Sequence, residues 1–139
     1  IDNMEIKQID FIKDNLLPNF TPYYIYAIYE EGKQVGTLVF RLGSDQQHYY
    51  DGHIAYTIDE DYRGHHYAYQ ACLLLKGEII KHGYDHVLVT CDPDNIASKK
   101  TIQKLKAKLL AVEEVPKRYR KMFAPGENVK EIYRWELMS

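Results

Sequence analysis

The chain has 139 residues, 45% of them hydrophobic, which fits one domain over residues 1–139 with an adequate core. Its 18 Lys and Arg against 20 Asp and Glu give no basic field of the kind that drives nucleic-acid binding, so a small molecule or peptide is the expected partner. No apolar run reaches the length needed to span a membrane, and two cysteines, Cys72 and Cys91, suit a reducing compartment such as the cytoplasm. No signal peptide is visible, and an opening at Ile1 in place of methionine reads as a processed or trimmed N-terminus.

Met4 to Ile12 reads as a strand because Glu5, Lys7 and Asp10 interleave with Ile6, Ile9 and Phe11. Between it and Tyr23 there is room for one short helix, Asp10 to Leu17, before Pro18 and Pro22 break the chain. Tyr23 to Tyr29 and Gln34 to Leu42 form a hairpin whose turn is supplied by Gly32. A polar loop over Gly43 to Gln47 then leads into a long strand, His48 to Asp59.

Ala68, Cys72, Leu75 and Ile79 recur at helical spacing and predict a helix over Tyr67 to His82, closed by Gly83. Asp85 to Cys91 is almost continuously apolar and reads as a central strand. A second helix is expected over Asn95 to Lys106, and two strands, Leu109 to Val115 and Val129 to Leu137, finish the chain. The order predicts an α/β or α+β fold with a mixed sheet carrying helices.

The segment Ile58 to Ala68 turns from a strand through Gly64 into a helix. Its first amides have no partner and face the positive end of the helix dipole, which is an anion site suited to phosphate. An ordinary strand-to-helix connection would look the same. Thirteen tyrosines, concentrated in Tyr23 to Tyr29, Tyr49 to Tyr69 and Tyr119 to Tyr133, read mostly as half-buried strand residues, with a few able to line an acceptor pocket.

Three stretches together, Tyr62-Arg-Gly-His-His-Tyr-Ala68, Thr90-Cys-Asp-Pro-Asp-Asn-Ile-Ala-Ser98 and Lys104-Leu-Lys-Ala107, resemble the acetyl-CoA motif and following helix of the GNAT N-acetyltransferase superfamily. The resemblance runs from Tyr23 to Leu137 with the elements in order. It is closest to a group of predicted bacterial acetyltransferases through Gly52-His-Ile-Ala-Tyr56, Asn95-Ile-Ala-Ser98 and Ile132-Tyr-Arg-Trp-Glu-Leu137.

That resemblance implies the GNAT acyl-CoA N-acyltransferase fold, with acetyl-CoA as co-substrate and a primary amine of a small molecule or peptide as acceptor. The strand ending at Asp59 would splay from the strand ending at Cys91, and the pantetheine arm would enter the gap. Backbone groups of Ile58, Asp59, Glu60 and Asp61 would pair with the pantetheine amides. The pyrophosphate would sit on the amides of Arg63, Gly64, His65, His66, Tyr67 and Ala68. Asn95 would hydrogen-bond the arm, with Ser98 supporting that turn, and Lys99 or Lys100 would meet the 3′-phosphate or simply be solvated. His65 and His66 read as phosphate-adjacent, and no metal is expected, since adjacent residues splay apart and no third ligand is evident.

Several places depart from the family pattern. Asp61 and His66 occupy the first and last positions of the phosphate motif, and Lys106 stands where a left-handed glycine is usual. The places of the family's Glu base and Tyr acid fall on Thr90 and Ile102, neither of which can serve. The remaining catalytic candidates are His53, by its intrinsic pKa, and Tyr56, within reach of the splay. His53 reads equally as a packed strand histidine. Cys91 reads as a buried thiol or as an acyl-carrying nucleophile, and a backbone amide near Val89 to Cys91 is expected to polarise the thioester carbonyl.

The single short helix expected before Tyr23 abridges the N-terminal wall found in the family, which implies an open cleft or one completed by a homodimer partner. Lys117-Arg-Tyr-Arg-Lys121 stands where the family lines its acceptor site, as a reader of an acidic group or as a solvated loop. Three functions stay open: an acetyl-CoA-dependent N-acetyltransferase, a non-catalytic CoA-binding module of the same fold, and a Rossmann-type nucleotide domain. The last is disfavoured because Gly64 lacks paired glycines.

Overall fold

The computed structural model describes residues 3–18 and 20–138. Four antiparallel strands lie in the order β1 (Met4–Ile12), β2 (Tyr23–Glu30), β3 (Lys33–Arg41), β4 (Ile54–Ile58). A second antiparallel sheet orders β5 (His86–Cys91), β7 (Val129–Glu136) and β6 (Lys108–Glu114). Helix α1 (Tyr67–Lys81) connects β4 to β5, and α2 (Ile96–Lys104) connects β5 to β6.

Local sequence accounts for most of these elements. The aromatic and β-branched run of β2 pairs with β3 through a two-residue turn in which Glu31 and Gly32 have φ of 50° and 81°. In α1, Ala68, Ala71, Cys72, Leu75 and Ile79 form one buried stripe. This stripe packs in a single core with Ile28, Leu38 and Phe40 of the first sheet and Val87, Val89 and Trp135 of the second. Lys106 does take the left-handed conformation, at φ 63°, just beyond α2.

Backbone hydrogen bonding brings the edges of the two sheets together at His53 and Leu88. His53 N donates to Leu88 O at 2.8 Å, and Leu88 N donates back to His53 Nδ1 at 3.0 Å. Gly52 makes the approach possible: with φ 75°, a Cβ there would stand 3.1 Å from Leu88 O and 3.2 Å from Thr90 N. Beyond this junction no ladder joins β4 to β5 among the described residues, so the strands part around a gap. The mixed sheet expected from the sequence is therefore two antiparallel sheets sharing a core.

Two elements differ from expectation. The long strand expected over His48 to Asp59 is only β4, and residues 45–51 form turns, with His48 N bonded to Ser44 O and Gly52 N to His48 O. The cause is His48, whose 2% exposed ring is held by Leu42 O, Thr21 Oγ1 and Asp51 Oδ1, contacts that an extended chain cannot make. Nor is there a helix over Asp10 to Leu17. β1 bulges at Gln8 to Asp10 and carries the ladder on to Ile12, where Phe11 stacks on Tyr24 at 4.3 Å.

Candidate active site

Two cavities open on either side of the gap between the sheets. One, of about 700 Å³, lies between the end of β4, the start of α1 and the start of α2. The other, of about 630 Å³, lies between β4, the end of β5, the segment before β2 and the β6–β7 connection. Both are lined by Tyr56, Thr57, Asn95 and Ser98, so the two spaces meet there.

The first cavity is lined by most of the residues expected from the sequence to meet phosphate. Ile58, Arg63, Gly64, His66, Tyr67 and Ala68 all line it. Gly64 has φ 91° and only open space within 4 Å of where a Cβ would be, so the backbone faces the cavity bare. His66, at φ 62°, is left-handed at the N-cap of α1 and offers no side-chain cap, leaving the first amides of a 15-residue helix without a side-chain acceptor. An extended phosphate-bearing group fits this cradle. His65 is exposed, its ring stacked on Tyr67 at 5.2 Å, and contributes no lining atom.

The strand-like pairing expected of residues 58–61 contracts. Asp59 N already donates to Val35 O at 2.8 Å, and Glu60, Asp61 and Tyr62 form a 3-10 turn. Alternation along β4 then leaves the backbone groups of Tyr56 and Ile58 on the edge facing the gap. Ile58 O accepts from Arg63 Nε at 3.0 Å.

Asn95 caps α2 by accepting from Ser98 N at 3.1 Å, which fixes both side chains at the meeting point. Ser98 Oγ in turn lies 2.9 Å from Tyr56 Oη. Burial raises the Tyr56 pKa well above the ordinary tyrosine value, so the side chain stays a phenol at neutral pH.

His53 lines neither cavity. Its ring is fully buried, Nδ1 accepts from Leu88 N and Nε2 donates to Gly43 O at 3.0 Å, so no lone pair faces the gap. Burial lowers its pKa from 6.5 to about 4. The ring bridges the two sheets instead of standing where a base would act. Cys91, 5% exposed, does line the second cavity, but burial pushes its thiol up to about 11, away from the thiolate a nucleophile needs.

Residues that sequence reasoning passed over occupy the second cavity and its margins. Lys130, 6% exposed, bonds Asp92 Oδ1 at 2.7 Å and Glu127 Oε1 at 3.2 Å, and its Nζ stands 4.4 Å over the Phe123 ring. Glu131 receives Lys99 at 3.1 Å and the Tyr133 hydroxyl at 2.8 Å, so Lys99 is engaged while Lys100 lines the phosphate side. Phe20, Thr21, Met122 and Phe123 wall the cavity from this chain's own loops. Only the high lysine and aromatic content of those loops hinted at this. The basic run Lys117 to Lys121 does not line the cavity: Arg120 donates to Val115 O, and Arg118 lies on the Tyr119 ring.

Among the described residues no group of three or more His, Cys, Asp or Glu side chains is placed to hold a metal ion. No helix among them is long and apolar enough to cross a membrane.

Similarity to known proteins bears on the fold. Among solved structures, RimL, a ribosomal L7/L12 alpha-N-protein acetyltransferase, superposes with TM-score 0.65 at 16% identity, covering 84% of this chain and 71% of that one. The microcin C7 self-immunity acetyltransferase MccE, solved with acetyl-CoA and AMP, gives 0.64 at 18% identity over 82% of this chain and 61% of that one. An N-acetyltransferase from Staphylococcus aureus Mu50 gives 0.61 at 22% identity over 83% of this chain and 68% of that one. At these identities the likeness is one of fold, and the chain spans about two thirds of the length of each. No curated protein matches the sequence. The family model described as "Acetyltransferase (GNAT) domain" matches residues 5–108, and the chain belongs to the GNAT acetyltransferase family.

Proposed function

We propose that the chain is an acetyl-CoA-dependent N-acetyltransferase acting in the cytoplasm on a primary amine of a small molecule or peptide, by direct attack. The observation that carries this reading is the meeting of a phosphate-cradling cavity and a separate acceptor cavity at Tyr56, Thr57, Asn95 and Ser98. When bound, acetyl-CoA supplies an activated acyl group as a thioester.

The chain's own residues do four things. The bare amides at the start of α1 and the turn at Gly64 hold the pyrophosphate, and Lys100 stands on the same side for a further phosphate. The gap-facing backbone of Tyr56 and Ile58 and the Asn95 side chain align the arm. Because Leu88 spends its amide and carbonyl on His53, alternation turns the Thr90 amide to the same edge of β5, where it polarises the thioester carbonyl. Transfer joins the amine nitrogen to the carbonyl carbon, releases that nitrogen's second proton to solvent through the open acceptor cavity, and breaks the C–S bond. Tyr56 Oη–H gives its proton to the departing thiolate and regains one through Ser98 or solvent.

Deprotonating the amine costs roughly 4 to 5 kcal/mol at pH 7 for a lysine-like group. With His53 locked away, the proton leaves through the open acceptor cavity, whose carboxylates are Asp51, Asp92 and Glu127. Positioning across the gap then supplies much of the rate.

A second reading, a non-catalytic CoA-binding module, is favoured by one observation: among the described residues, the four that line both cavities, Tyr56, Thr57, Asn95 and Ser98, include no histidine or glutamate. Incubation with acetyl-CoA and a panel of amines, read by thiol release and product mass, separates the two. Turnover is expected, and tight CoA binding with no acetylated product from any amine supports the module.

A further inference from the structure

We infer that two copies of the chain pair edge to edge through β6, antiparallel about a two-fold axis. β6 is the outer strand of the second sheet and is bonded to β7 on one side only. Among the described residues none from 109 to 114 makes a backbone hydrogen bond outside that ladder, so alternate N–H and C=O groups along the strand face outward unpaired.

The side chains are as open as the backbone. Leu109, Leu110 and Val112 are 49%, 48% and 55% exposed, and of the strand's 7 residues only Ala111 is half-buried. Folding of one chain therefore leaves the Leu-Leu-Ala-Val centre of a strand in water. The outer strand of the first sheet, β1, differs: it exposes one large apolar residue, Ile9, among Lys7, Gln8 and Asp10. Edges that stay single carry charge or proline along their length, and the centre of β6 has neither. Its bulge between Leu109 and Ala111 adds twist near one end and leaves Ala111 to Glu114 in regular register with β7.

The charges of β6 sit at its ends. Lys106 and Lys108 stand at the start, Glu113 and Glu114 at the finish, and among the described residues Lys106, Lys108 and Glu114 have no ion-pair partner. Two copies in parallel would set like charge against like. An antiparallel pair sets the basic end of each against the acidic end of the other, and this self-complementarity selects a second copy of the chain as the occupant. With the axis at or next to Ala111, Lys108 lies opposite or diagonal to the partner's Glu114, and the smallest side chain of the strand stands where the two backbones approach.

Sedimentation velocity of the protein over a concentration series reads the pairing directly. A reversible dimer with a dissociation constant on the order of 10 μM is expected, since one short strand pair is a small interface. Val112→Glu, at an exposed position where the melting curve should not change, is expected to weaken the dimer at least about tenfold, because the two-fold axis repeats each loss. Lys108→Glu and Glu114→Lys should each weaken self-pairing, and an equimolar mixture of those two variants should recover a dimer, since each offers the other the opposite sign.

A protein that stays monomeric at every concentration, a dimer unaffected by Val112→Glu, or association that grows beyond two chains would each overturn the inference. Failure of the mixture to recover a dimer that both charge variants had lost would overturn the antiparallel pairing. None of these readouts depends on acetyl transfer, so their failure is distinct from failure of the proposed function.

Discussion

Tyr56 Oη and Ser98 Oγ stand 2.9 Å apart and tie β4 to α2 at the point where the two cavities meet. Ile102, where the resemblance would put an acid, is fully buried in the core, and Tyr56 at this junction comes from the strand. Tyr56→Phe is expected to lower kcat by about a hundredfold or more while changing acetyl-CoA affinity less than about twofold. Steady-state kinetics with parallel calorimetry checks this, and an unchanged kcat in the folded variant removes Tyr56 from the role.

His53 makes stability depend on acid in a defined direction. Its pKa is depressed to about 4 from 6.5 in the folded chain, so the unfolded state takes up a proton first as the pH falls. The neutral ring's contribution is present above pH 6.5 and is lost progressively toward pH 4, about 3 kcal/mol in all. Urea unfolding of the wild type and His53→Gln across that window should show the steeper loss only in the wild type. The pH–rate profile of a folded His53 variant should keep its shape, because the ring does not face the gap.

In the proposed function, Gly64 would serve the phosphates through its conformation and the open space beside it. Valine at φ 91° is strained, and its branches would occupy the cradle. Gly64→Val should raise the acetyl-CoA dissociation constant at least tenfold, about 1.4 kcal/mol, without altering the binding of acceptor amines to the other cavity. Equal acetyl-CoA affinity in the two proteins would place the phosphates elsewhere.

Lys130 is the cation that makes two cavity carboxylates tolerable together. Lys130→Met leaves Asp92 and Glu127 facing one another without it, and a loss of about 2 kcal/mol is expected. Adding Glu127→Gln should recover part of that loss. Denaturant midpoints of the single and double variants measure both effects, and additivity of the two changes would show that the residues are not coupled.

Elements that depend on local rules were legible in the chain itself. The helical stripe from Ala68 to Ile79, the turn at Gly32 and the left-handed Lys106 each follow from spacing or backbone conformation within a few residues. The His48 segment misled because His48, Tyr49 and Tyr50 have strand-like composition, whereas the contacts that bend it come from the side-chain bonds of His48 to Leu42 O and to Thr21, the latter far away in sequence. For His53 the sequence left both readings open, a base and a packed strand histidine, because an intrinsic pKa suited to a base says nothing of whether the ring is sealed between two sheets. The second cavity was illegible, since Phe20, Asp51, Phe123 and Lys130 meet only once both sheets are folded.

The most direct test of the central claim is calorimetric titration of the purified protein with acetyl-CoA, dephospho-CoA and NADH. One site for acetyl-CoA with affinity on the order of micromolar, weaker binding of dephospho-CoA and no heat with NADH is the expected result. A folded protein that binds no acetyl-CoA would contradict the assignment of the Gly64 loop, the Tyr56 junction and the acetyl-transfer chemistry together.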